Sequence, residues 1–278
     1  MSAGPSSNDV YLGMRPGDLD GKPYARYWNP DMAPLPDHAR EAVVHGPEAA
    51  ELGLTLDQAD RLMAPGYLPL ETGWTTVRDG HTLVAVLTRM PHVSGAMFEW
   101  WMGWHTMEHQ RYKLWHPRAH LANGTAQMRG DDPTVSDRDK YLTTHYVTEY
   151  IGQHLQRIAI HFVEPVSYLT RTTDFSANGV SALVCATVTL KRSTIVIGHL
   201  IHQIREVDGG SEMRSRFWLG KPALQNTDAL DVRNRLLGSK LLRGFLVPRD
   251  LAHAMLVHCA MEMAHLARFL PDLYADYH

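Results

Sequence analysis

Between residues 145 and 219 the chain repeats one pattern: a run of β-branched, aliphatic and aromatic residues, then a break. The runs are "HYVTEYI" (145–151), "RIAIHFV" (157–163), "SALVCATVTL" (181–190), "IGHLIHQIRE" (197–206) and "EMRSRFWL" (212–219). Each is too short for a buried helix and rich in strand formers, and Asn178-Gly179 and Asp208-Gly209-Gly210 supply turn residues between them. Consecutive strands joined by short turns pair antiparallel. An earlier run, "HTLVAVLTRM" (81–90), reads as a further strand. "SGAMFEWWMGWHTMEH" (94–109) follows it with Met97, Trp101, Trp104 and Glu108 at helical spacing, so a strand followed by a helix is expected there.

A sheet of this kind needs a cover, and the last long element offers one. "DLAHAMLVHCAMEMAHLARFLP" (250–271) reads as one long helix, with Asp250 placed to cap its start and Pro271 to mark its end. Leu251, Met255, His258, Glu262, His265 and Phe269 share one face, so a histidine and a carboxylate one turn apart interrupt an otherwise apolar stripe. A curved antiparallel sheet closing around this helix makes an α+β helix-grip fold (START/birch-allergen-like) with a deep cavity. Residues 71–278 are read as that domain. Residues 1–70, broken by prolines and glycines as in "MRPGDLDGKPYARYWNPDMAPLPDH", are read as a smaller irregular segment wrapped on it. One short helix is expected within that segment, in "TLDQADRLM", where Thr55 and Gln58 form a capping-box pattern and "APGYLP" then stops the chain. Between Pro222 and Pro248 the pattern is mixed, and short helices are expected.

Composition narrows the partners. The 278 residues carry a formal charge of -3, which gives no basic field for a nucleic-acid backbone or an anionic membrane. No apolar run is long enough to span a bilayer, and "MSAGPSSNDV" lacks the basic start and apolar core of a signal peptide, so a cytoplasmic protein is expected. Cys185 and Cys259, the two cysteines, sit in apolar runs and read as small buried hydrophobes; any metal would rest on nitrogen and oxygen donors.

Two histidine patterns compete for that role in "HTMEHQRYKLWHPRAHLANG" (105–124). His105, Glu108 and His109 spell H-x-x-E-H, the inverted zinc-protease motif, while His116 and His120 lie four residues apart in "HPRAH". The first match is short and ends a tryptophan-rich amphipathic helix, a context foreign to those proteases. On the last helix, Glu262 within a core-facing stripe needs a partner, because an unpaired buried carboxylate costs several kcal/mol. His258 is the near candidate, as a plain ion pair or as a second metal ligand.

Taken together, "RYKLWHPRAHLANG" (111–124), "TEYIG" (148–152), "SEMRSRFWLG" (211–220) and "HCAME" (258–262) resemble, in order and separation, the 2,4-diacetylphloroglucinol hydrolase family, which includes phloretin hydrolases. The resemblance covers most of the chain after about residue 70. It implies a zinc-dependent hydrolase of the carbon–carbon bond between an acyl group and a polyhydroxylated ring, acting on a small acylated phenol and assembled as a homodimer. It further implies that His120, Glu149, His258 and Glu262 hold Zn²⁺, and that His105, His109 and His116 do not. Tyr112, Asn123 and His202 match positions that hydrogen-bond the substrate's oxygens, with Phe217 and Trp218 beside it. Phe217 departs from the family pattern, which carries a tyrosine there.

The chemistry so implied is a retro-Claisen cleavage. Zinc polarises the ketone and activates water, and a phenol ortho to the acyl group tautomerises so that the ring carbon can leave and take a proton. Glu149, Tyr112, Asn123 and His202 are the expected catalytic group. The rival expectation is a non-catalytic helix-grip carrier of a hydrophobic or phenolic small molecule, which has no need of two histidines and two carboxylates facing its cavity.

Overall fold

The structure, a computed structural model, describes residues 11–169, 178–225 and 250–278. Its centre is one eight-stranded sheet in the order β1-β2-β8-β7-β6-β5-β4-β3, antiparallel at every pairing. The strands are β1 (Gly73–Thr76), β2 (Thr82–Pro91), β3 (His120–Thr125), β4 (Thr144–Ile151), β5 (His154–Val163), β6 (Val180–Leu190), β7 (Ile195–Val207) and β8 (Gly210–Leu224). Each expected run is a strand. β1 and β3 are additions, since "GWTT" and "HLANGT" are too short or too rich in glycine and asparagine to show a strand pattern. The β7–β8 hairpin turns through Gly209 at φ 79°, a left-handed conformation open to glycine without strain. The short helices expected beyond Pro222 fall largely outside the described residues.

Alternation along the strands gives the sheet two buried faces. On β2, Val84 and Val86 join the core under the helices, while Leu83 and Ala85 face the other way. That outer face is covered by the N-terminal segment. There the expected short helix is a 3₁₀-helix, Leu56–Met63, opened by Gln58 accepting from the Thr55 amide, and Leu62 and Met63 pack with Leu183, Ile201 and Trp218. Arg214 and Arg216, 1% and 0% exposed, extend from β8 to the same face, where both bind Glu71 and donate to the carbonyls of Leu62 and Leu70. Burial works against the ionised Glu71 carboxyl, yet the two guanidiniums outweigh it and hold its pKa below the usual 4.5. Its contribution is therefore complete above about that pH and drains away as pH falls towards the lowered value. Glu71→Gln, which leaves two buried arginines short of a counter-charge, is expected to destabilise the fold by about 3–5 kcal/mol, read from the midpoint of denaturant unfolding. A midpoint unchanged from wild type would refute that account of the clamp.

The inner face is covered by helices. They are α1 (Asp37–His45), α2 (Gly95–Trp104), α3 (His109–Trp115), α4 (Asp137–Tyr141), α5 (Leu251–Leu266) and α6 (Leu270–Tyr277). Two expectations about them need correction. The helix expected over 94–109 stops at Trp104: a 3₁₀ turn, His105–Met107, follows, and Glu108 is extended (φ -143°, ψ 142°) before α3 begins. The Glu108 carboxylate is bound by Lys22, by the Tyr24 hydroxyl at 2.9 Å and by Arg111 at 3.5 Å, so H-x-x-E-H straddles a break and its acid faces the N-terminal segment. The C-terminal helix, expected to run to Pro271, ends at Leu266. Pro271 instead lies in the first turn of α6, where the missing N–H is harmless. Asp250 does sit at the cap position of α5, but its carboxylate accepts from His154 Nε2 at 2.8 Å rather than from the helix. No described helix is long and apolar enough to cross a membrane. Both cysteines are buried and unbonded, and burial pushes the Cys185 thiol up to about 12.

Candidate active site

A cavity lies between the inner face of the sheet and α5, and its polar end is built by three elements that sequence alone keeps far apart. β3 begins at His120, and the β3–β4 register sets His120 directly opposite Glu149. On β4, alternation turns His145, Val147, Glu149 and Ile151 to the cavity together. From α5, Leu251, Met255, His258 and Glu262 line the opposite wall along the apolar stripe read from the sequence. His120, Glu149 and His258 each offer a ligand atom within 4.8 Å of the others. His120 Nε2 stands 3.4 Å from Glu149 Oε2 and 3.6 Å from Glu262 Oε2, and His258 Nε2 lies 3.5 Å from Glu262 Oε2. All four residues are buried.

Each imidazole is anchored to the backbone through one nitrogen and turns the other to the carboxylates. His120 donates from Nδ1 to the Tyr112 carbonyl at 2.9 Å, which leaves the Nε2 lone pair facing the carboxylates, and that atom is buried with no hydrogen-bond partner. His258 engages the Tyr150 backbone and turns Nε2 to Glu262. Backbone anchoring of one nitrogen with the other presented to a common point is how ligating histidines are oriented. Around them, the Tyr112 ring stacks on His120 with centroids 3.8 Å apart, and His116 stacks on His258 at 4.6 Å.

Charges at the cluster are set by these neighbours. Burial alone would raise the Glu262 carboxyl, but the charge of His258 above all, with His120 beside it, holds it well below the usual carboxylate range. Burial likewise opposes protonation of His258; Glu262 and then Glu149 outweigh it and raise its pKa. The Tyr112 hydroxyl donates to Glu149 Oε2. Burial first, and the charge of Glu149 second, push its pKa well up, so it stays protonated. His116, by contrast, is pushed down to about 2 by burial and the adjacent His258 and His120 rings, and is neutral.

The other residues singled out in the sequence divide. His202 lines the cavity, its Nδ1 2.8 Å from Ser215 Oγ and its ring edge-on to Phe217, which lines the cavity as well. Tyr112 does too. Trp218 is not among the lining residues: next to Phe217 on a strand, it faces the outer layer and donates from Nε1 to the Leu54 carbonyl at 2.7 Å. Asn123 is not among them either. Its amide donates to the His105 carbonyl at 2.8 Å and its oxygen meets His109 Nδ1 at 3.0 Å. His105 and His145 line the cavity without having been singled out as site residues. For His145 the available signal was its spacing of four from Glu149 on a strand, which places both on one face.

The family described as DAPG hydrolase PhiG domain matches residues 54–275. A 2,4-diacetylphloroglucinol hydrolase of a Pseudomonas species is 30% identical over 262 residues, covering 92% of this chain and 88% of that protein. The protein of the same name from Pseudomonas protegens is 30% identical over 92% of this chain and 85% of its own length. A phloretin hydrolase from Eubacterium ramulus is 26% identical over 91% of this chain and 89% of its own. Since the family match takes in β1 to β8 and α5 together with all four residues of the polar cluster, the chain belongs to the DAPG hydrolase family.

Proposed function

We propose that the protein is a metal-dependent hydrolase that cleaves the carbon–carbon bond between an acyl group and a polyhydroxylated aromatic ring, as in 2,4-diacetylphloroglucinol, releasing the acid and the deacylated phenol. The observation that carries this reading is the buried, unpartnered His120 Nε2 set among Glu149, Glu262 and His258. Four donors about 2.1 Å from a tetrahedral ion lie about 3.4 Å from one another. The three contacts at 3.4, 3.5 and 3.6 Å match that spacing, while the set whose atoms all lie within 4.8 Å of one another is His120, Glu149 and His258, with Glu262 reaching it through the two histidines. His120, Glu149, His258 and Glu262 would hold Zn²⁺. A carrier of apolar molecules has no use for such a set, and leaving these groups buried without a ligand would be costly.

Zn²⁺ bound there supplies Lewis acidity at the ketone oxygen and brings the pKa of a water down to about 7. The chain's own residues do the rest. The cavity between sheet and helix excludes bulk water and holds the ring. Tyr112, kept protonated, gives its one O–H to Glu149 and would turn it to the carbonyl as negative charge grows on that oxygen. His202, neutral because burial pushes its pKa down to about 4, is steadied by Ser215 and placed for the ring oxygens. Asn123 supports the turn that presents His105. An ortho phenol first lets the ring tautomerise to a ketone, the acyl-bearing ring carbon taking the proton. When the acyl carbon then gains a hydroxyl, the carbon–carbon bond breaks and its electron pair enters the ring ketone as an enolate, which is the phenolate of the deacylated ring. The sheet gripping α5 is what we read as a helix-grip domain.

Phe217 is where this chain's selectivity should differ from a tyrosine-bearing relative. Its ring meets the His202 ring edge-on at 5.6 Å, so Phe217→Tyr adds a hydroxyl beside the residue assigned to the ring oxygens. The variant is expected to raise kcat/KM on 2,4-diacetylphloroglucinol about three- to tenfold, while substrates lacking ring hydroxyls are unaffected. Unchanged relative rates across a panel of acylated phenols would remove Phe217 from substrate contact. For the proposal as a whole, metal analysis with an acetate-release assay on the wild-type protein is the direct test: metal near one equivalent and acetate release support it, and neither result supports the carrier.

A further inference from the structure

His105 belonged to the motif that the ligand set left unused, and His145 belonged to none, yet the two rings line the cavity side by side with centroids 6.0 Å apart at 72°. We propose that His105 and His145 are a pair of hydrogen-bond acceptors for ring hydroxyls, a specificity subsite for a polyhydroxylated aromatic ring beyond the metal-ligating cluster. This rests on the substrate reading of the preceding subsection and names the groups that read the ring.

The argument starts from tautomers. His105 donates from Nδ1 to the Trp101 carbonyl at 2.7 Å, so its Nε2 carries a lone pair. His145 is hydrogen-bonded to the Tyr141 backbone, while its Nε2 is buried without a partner, so the backbone bond is made through Nδ1 and Nε2 is again an acceptor. Burial pushes His105 down to about 3 and His145 well below its ordinary value, aided by each other's proximity for His145, so neither gains a second N–H near neutral pH. Both therefore present acceptors only. Met102, Val147 and Phe162 in the wall beside them carry no donor, and the Tyr112 hydroxyl next to His105 is given to Glu149; the Trp115 ring, 5.3 Å from His105, keeps its Nε1–H without a partner, so neither neighbour supplies a hydrogen bond to the pair. A buried acceptor left unpaired is unfavourable, and a phenolic O–H is a donor that fits the deficit.

Position connects the pair to the chemistry. From His145 the rings step to His105, then to Tyr112 at 5.8 Å, then to His120 at 3.8 Å. A ring whose acyl carbonyl sits at the cluster would extend along this row, with its hydroxyls towards the two acceptors. The Asn123 bond to the His105 carbonyl steadies the turn carrying one of them.

Calorimetry with phloroglucinol and 1,3,5-trimethoxybenzene tests the subsite without turnover. The two probes share a ring and differ in having donors. Wild-type protein is expected to bind phloroglucinol at least about tenfold more tightly. His145→Phe and His105→Phe should each weaken phloroglucinol about tenfold and leave trimethoxybenzene unchanged, and His145→Gln, which restores an acceptor, should recover part of the loss. In turnover of 2,4-diacetylphloroglucinol the phenylalanine variants should raise KM more than they lower kcat. Equal wild-type affinity for both probes, or variants that weaken both alike, would overturn the proposal. Should a phenylalanine variant fail to fold, the leucine variant at the same position takes its place with the same expected loss, because His202, assigned to the ring oxygens, also contributes to wild-type discrimination. Discrimination between the probes with no acetate release would sink the reaction and leave the subsite standing; acetate release with ring binding indifferent to both histidines would do the reverse.

Discussion

His120→Ala and Glu262→Ala are expected to lose bound metal and activity together, with acetate release from 2,4-diacetylphloroglucinol falling by about three orders of magnitude or more. Each substitution removes one donor from a set spaced at 3.4 to 3.6 Å, and neither has a replacement within the cluster. His116 is the nearest alternative imidazole, but its ring is stacked on His258 and serves to support it. His258→Ala should behave in the same way. His109→Ala should keep its metal, because His109 meets Asn123 and sits beyond the break that splits H-x-x-E-H. Metal content by plasma emission, measured on the same preparations as the rates, separates the readings. Retained metal in His120→Ala with loss in His109→Ala would return the site to the inverted-protease pattern.

The second large effect concerns the substrate. Methylating every ring hydroxyl of 2,4-diacetylphloroglucinol is expected to cut acetate release at least about a thousandfold, even where the analogue still binds. Without a free ortho hydroxyl the departing carbon has no keto tautomer in which to hold the electron pair. The donors around the cavity cannot make up for that, since one well-placed donor contributes about 3–4 kcal/mol to a transition state. In the proposed mechanism Tyr112 and the cluster act at the acyl carbonyl, not at the leaving carbon. Equal acetate release from the parent and the methylated compound would rule out retro-Claisen cleavage for this enzyme.

Several features were legible in the residues before any fold was known. The strand runs from 145 to 219 were rich in strand formers with turn residues between them, and all of them pair antiparallel. The first four members of the stripe on α5, Leu251, Met255, His258 and Glu262, lie on the cavity wall as read, whereas His265 accepts from the Ala33 amide and Phe269 lies beyond the end of the helix. The helix ends were less legible. Asp250 and Pro271 have the residue types of a cap and a stop, but a tertiary partner, His154, takes the Asp250 carboxylate, and a proline that cannot continue one helix can open the next.

The sequence by itself determined what was local and periodic: an antiparallel sheet, a long helix with a histidine and a carboxylate one turn apart, and a choice between two histidine patterns. Tertiary structure decided what depends on register and on distant partners. β3 has little strand character, yet pairing with β4 sets His120 opposite Glu149, and that juxtaposition is why His120 rather than His105 or His109 enters the proposed metal set. Strand alternation sends Phe217 to the cavity and Trp218 to the outer layer, a distinction invisible until the faces are assigned. The acceptor role of His105 and His145 depends on which backbone carbonyl each ring meets. Those bonds form only when a turn, a strand and the chain beside each are brought together, and no spacing along the sequence encodes them.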